Sequence, residues 1–141
     1  PKLAYKVSRV SITSQRQVLV YEVPDSRDKP HYLKEIEGPR QKTAYIRQDD
    51  MSLTASREML EILRLQKREK GVNLRFGEPE QKLLEYLETA PQITLSETQQ
   101  LLQLSRRKAS IILILLVRAG LLHIHPTEKG DLFRLAEEAF H

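Results

Sequence analysis

The chain predicts an α+β fold, and three observations carry that expectation. Residues 4–12 and 17–23 alternate apolar with polar side chains and are rich in β-branched residues, the period of a strand. Three later stretches, 78–89, 94–104 and 105–119, repeat apolar residues at helical spacing. The last of them runs at once into two short β-rich segments, 122–124 and 132–135, on either side of a polar tip. Three helices followed by a β-ribbon is the order of a winged helix-turn-helix domain. The expected organisation is a small β-rich module over 1–66, a linker over 67–77 and a winged helix over 78–141.

Within the first module, Thr13, Ser14, Gln15 and Arg16 suit a hairpin loop between the first two strands. Pro24 and Pro30 bound a loop, because proline cannot donate to a strand ladder. Short strands are expected at 31–33 and 43–47, separated by a polar segment with Gly38 and Pro39. From about Thr54 to Lys70 the pattern becomes helical, with Met59, Leu60 and Leu63 on one face. Its far end is rich in Lys67, Arg68 and Lys70, as the helix dipole favours. About 65 residues of this kind bury little core alone. The module therefore reads as part of a larger α/β domain or as one completed by a partner.

In the second module, Ser105 is a good N-cap because its hydroxyl accepts from an orphan helix N–H. Gly120 is a good stop, since glycine reaches the left-handed conformation at little steric cost. Between them Ala109, Leu113 and Leu116 share a core-facing stripe. The opposite side carries Ile111 and Ile114, flanked by Ile112 and Leu115, where a surface helix should be polar. Such a face is covered by the first module, by a second copy in a homodimer, or by the terminal segment 136–140. A homodimer is the favoured expectation, since apolar patches of this kind rarely stay exposed.

The 141 residues suffice for one ordinary domain or two small ones. An apolar fraction of 40% supports a core, and 30% charged residues support a solvated surface. The apolar run 111–117 is far shorter than the roughly 20 residues a membrane-spanning helix needs. No secretory signal is evident, and the start at Pro1 reads as a fragment or processed piece. The absence of cysteine excludes disulfides and thiolate chemistry and is compatible with the cytoplasm. The net charge of +4 is uneven: residues 1–75 hold 16 Lys/Arg against 10 Asp/Glu, residues 76–141 hold 7 against 9. A winged helix of net negative charge would grip DNA through a local basic patch, aided by the basic N-terminal part.

Pro24, Ser26 and the run Lys29, Pro30, His31, Tyr32, followed by Ala44, Tyr45, Ile46, Arg47 and by Ala55, Ser56, form a recognisable pattern. Over residues 1–64 it resembles the second half of the Schlafen-type AlbA-like domain, found in bacterial proteins of the divergent AAA group. The resemblance implies nucleic-acid binding, and bacterial members commonly carry a winged helix further along. The family usually has glycine shortly after the Tyr-x-Arg motif, whereas Arg47 is followed here by Gln48, Asp49 and Asp50. The family's first half, with the acidic positions proposed for nuclease action, has no counterpart in this chain. No phosphate-binding Gly-x-x-x-x-Gly-Lys loop occurs either. No catalytic residue, metal ligand or cofactor is therefore expected.

Arg106, Arg107 and Lys108 lie at the expected start of the recognition helix, with Ser110 as a further donor and Lys129 at the wing tip. Cations in a first helical turn oppose the helix dipole, a small penalty that a bound anion relieves. Lys29, Arg40 and Arg47 either extend a nucleic-acid surface or are ordinary solvated charges. His31 invites a catalytic reading and His123 with His125 a metal site, but nothing in the sequence completes either. The sequence thus points to a DNA-binding transcriptional regulator on double-stranded DNA, with no catalysis in this chain. Operator and small-molecule effector are unspecified. An assembly module built on the winged helix is the alternative; the non-catalytic part of an RNA-processing Schlafen-like protein is another.

Overall fold

The computed structural model describes residues 3–33, 42–66 and 75–137, and its order is ββββα followed by αααββ. The fold is mixed α+β, with small antiparallel sheets and helices. Strands β1 (Lys6–Thr13) and β2 (Arg16–Glu22) form a hairpin with Val7 opposite Tyr21 and Val10 opposite Val18. Among the described residues it pairs only with itself, and large apolar side chains on both faces stay exposed, Val7, Leu19 and Tyr21 on one, Val10, Ile12 and Val18 on the other.

A second hairpin joins β3 (Tyr45–Gln48) to β4 (Met51–Thr54), with Ile46 opposite Leu53. Its turn holds Asp49 at φ 53°, a left-handed conformation that aspartate tolerates better than most residues. Strand β4 departs from the sequence expectation of a helix from about Thr54, since helix α1 (Arg57–Gln66) begins only after Ser56. Ser56 Oγ accepts from the Met59 N–H at 3.0 Å and so caps the first turn. Ala44, Ala55 and Met59 form a small core here with Tyr32, Ile46, Leu60 and Leu63, and Ile124 from the far half of the chain packs against it.

The second part starts with α2 (Glu78–Thr89), where Glu80 accepts from the Gly77 N–H at 3.0 Å and Pro79 sits in the first turn. Helix α3 (Leu95–Leu102) opens with a reciprocal capping box between Thr94 and Glu97. It closes on Gln103 in the left-handed region, φ 52°, which turns the chain sharply into the next helix. Helix α4 (Arg106–Arg118) is capped by Ser105, as expected from the sequence. At its end the Leu121 N–H reaches the Leu116 carbonyl and the Gly120 N–H the Val117 carbonyl. That is a Schellman closure, and it needs Gly120 at φ 75°. Strands β5 (Leu122–Thr127) and β6 (Gly130–Leu135) then form a ribbon, longer than the sequence suggested.

Leu83, Leu87, Ile93, Leu113, Leu116, Leu122 and Phe133 make the main core. A single bridge between Ile93 and Phe133 ties the α2–α3 connection to the ribbon, with backbone bonds in both directions. One ribbon face carries Leu122, Ile124, Pro126, Phe133 and Asp131; the other carries His123, His125, Leu132 and Arg134. The buried face of the ribbon therefore serves two cores, the main one through Leu122 and Phe133 and the smaller one through Ile124. The linker expected at 67–77 lies outside the described residues except for Arg75, Phe76 and Gly77.

Candidate nucleic-acid interface

Arg106, Arg107 and Lys108 occupy the first turn of α4 and all three are exposed. Among the described residues none of them forms an ion pair; the pairs there are Lys29 with Asp25 and Arg64 with Glu61. Three adjacent cations on a helix start, without an acid to neutralise them, make a local positive field that the dipole of α4 reinforces. Lys129 is exposed in the ribbon turn, where Thr127 Oγ1 accepts from its backbone N–H at 3.3 Å.

Ser110 is not available as a DNA donor. Its hydroxyl donates to Glu58 Oε1 on α1 at 2.8 Å. Glu58 is only 5% exposed, a carboxylate buried between helices that pack on each other. Glu58 and Ile62 lie four apart on α1, as Ser110 and Ile114 do on α4, and each pair shares one stripe of its helix. Ile62 is 2% and Ile114 8% exposed, so α1 is the cover for this side of α4. Of the four residues expected to form a homodimer seam, Ile112 belongs to the main core and Ile114 is buried within the chain. Leu115 is half-buried, and Ile111 remains 47% exposed. Intrachain cover by the first module thus replaces most of the surface that dimerisation would have used.

A second polar contact joins the same regions. Ser56 Oγ donates to Asp131 on β6 while it caps α1. Burial pushes the Asp131 carboxyl above the usual carboxylate range; the Ser56 bond opposes this and the nearby Glu58 charge adds to it. Two acids and two hydroxyls therefore bind the start of α1 into the angle between α4 and the ribbon. Neither contact was legible in the sequence, where Ser56 stands only as part of the Schlafen-like pattern and Glu58 carries no motif. The available signals were a lone acid on the apolar stripe with Met59 and Ile62, and a serine three residues ahead of Met59.

The other sites are dispersed. Lys29 is neutralised by Asp25, whose carboxyl it holds below the usual range, so it is not a free cation. Arg47 is exposed and donates at 3.2 Å to Ser52 Oγ across the β3–β4 hairpin. Arg40 lies outside the described residues. His31 is half-buried with its Nε2 enclosed and unpartnered. His123 is exposed and His125 half-buried on the outer ribbon face, and no group of three metal-ligating side chains occurs among the described residues. No helix among these residues is long and apolar enough to cross a membrane. Protein-family models, curated proteins and solved structures offer no match to the chain.

Proposed function

We propose that this chain is the duplex-DNA-binding part of a transcriptional regulator, built on a winged helix-turn-helix over residues 78–135. The supporting features are the tight α3–α4 turn at Gln103, the Ile93–Phe133 bridge and the ribbon that follows α4 directly. The observation that carries the reading is the exposed, unneutralised cluster Arg106, Arg107 and Lys108 at the start of α4. Helix-turn-helix domains present this turn to DNA. Phosphate there would relieve the conflict between the cations and the helix dipole.

The test is a salt titration of duplex binding. Three phosphate contacts predict a log–log slope of about −2.7, hence about 40-fold weaker binding at 200 mM than at 50 mM salt. Arg106→Ala with Arg107→Ala leaves a slope of about −0.9, a loss of only 3- to 4-fold over the same range. Equal slopes for the two proteins would reject the assignment.

A second reading, assembly with another protein, is favoured by the β1–β2 hairpin, whose apolar side chains are exposed on both faces. In that case Leu19→Asp with Val18→Asp reduces a concentration-dependent mass in sedimentation. A mass that is monomeric throughout rejects it.

A further inference from the structure

The start of α1 packs on the flank of α4 beside its exposed outward face, and we propose that this contact is autoinhibitory. The inference rests on the duplex-binding reading above. With Ala109 pointing into the core, Arg107 and Ile111 lie about 160° and about 200° round α4, on its outward side. Ser110 and Ile114 lie at about 100° and about 140°, so α1 covers the outward flank and not the core side. Packed helices have axes 8–10 Å apart. At that separation and direction the axis of α1 stands about 4–5 Å further out than the axis of α4.

Two packed helices are about 20 Å across, whereas the major groove is about 12 Å wide. With α1 in place, α4 cannot enter a groove beyond its first turn. Arg106, Arg107 and Lys108 still reach phosphates, which gives weak, salt-sensitive binding without base contact. The contact is closed by two hydroxyl–carboxylate bonds and by apolar packing that includes Ile124 of the ribbon on the Ala44, Ala55 and Met59 core, with no covalent or ionic tie among the described residues to prevent its opening. Release of α1 frees Ser110 and Ile114 on the flank of α4.

The chain contains no cysteine, so one pair can be introduced cleanly. Ser56→Cys with Asp131→Cys, joined by a short bis-maleimide, locks α1 to the ribbon. The control is the same protein capped with a monofunctional maleimide. Duplex affinity by fluorescence anisotropy is expected to be at least 10-fold weaker for the locked form than for the capped form. Ile62→Asp, which forces α1 off α4, is expected to bind at least 5-fold more tightly than wild type, although its added negative charge acts the other way.

Equal affinity of locked and capped forms overturns the autoinhibition even if Ile62→Asp does not fold. If that equality is accompanied by a salt slope that still depends on Arg106 and Arg107, the duplex reading stands alone. Absence of duplex binding by every form overturns both.

Discussion

Ser110→Ala is the substitution that most directly probes how the two parts of the chain are joined. The hydroxyl donates at 2.8 Å to a carboxylate that is almost fully buried. A hydrogen bond to a charged group contributes about 1.5–3 kcal/mol, because its loss leaves the buried acceptor without a replacement. Alanine is the better helix former and returns about 0.5 kcal/mol at this mid-helix position. The net loss is therefore about 1–2.5 kcal/mol. With a urea m-value of about 2 kcal/mol/M, the unfolding midpoint falls by about 0.5–1.2 M. Glu58→Ala removes the acid that needs the bond, so adding Ser110→Ala to it costs almost nothing further. The double-mutant cycle then gives a coupling of about 1–2.5 kcal/mol. A Ser110→Ala midpoint unchanged from wild type, with coupling near zero, would show that water satisfies Glu58 equally well and that this bond does not hold α1 on α4.

Three further outcomes are expected. Leu113→Ala, at a fully buried position of the main core, lowers stability by about 3–5 kcal/mol in urea unfolding, and a loss below 1 kcal/mol would contradict the close packing assigned there. Gly120→Ala costs about 1 kcal/mol by the same measurement, from backbone strain at φ 75° alone, since an added Cβ meets nothing within 4 Å; no loss would argue against the Schellman closure. Asp131 has a carboxyl raised chiefly by burial, so its protonated form is the one the fold favours. Its contribution is complete below the ordinary carboxylate range and is lost as pH rises through the raised value. The stability of wild type relative to Asp131→Asn should accordingly fall as pH rises out of the ordinary carboxylate range in thermal unfolding, and a difference independent of pH would refute the burial argument.

Local chemistry was legible wherever one short segment decides its own conformation. Ser105 and Gly120 bound α4 as their capping preferences require, and Thr94 with Glu97 starts α3 by a box that spans four residues. The hairpin 4–23 follows from its period of two. Reading was poorer at Met51–Thr54, which is too short for its alternation to stand out against the helix that follows. It was poorer still for the apolar outer side of α4, where periodicity announces that something must cover Ile114 but carries no information on what.

By itself the amino-acid order determined the helices and their caps, the β-ribbon after α4, and the cationic turn at Arg106, Arg107 and Lys108. Each of these depends on interactions within a few residues along the chain. Only the tertiary structure decided that Ser110 belongs to Glu58, that Asp131 belongs to Ser56, and that α1 rather than a second copy covers Ile114. Those pairings join residues 52 and 75 positions apart. They arise because a buried carboxylate needs a donor and an apolar stripe needs a cover, and the folded chain supplies both from the nearest surface in space.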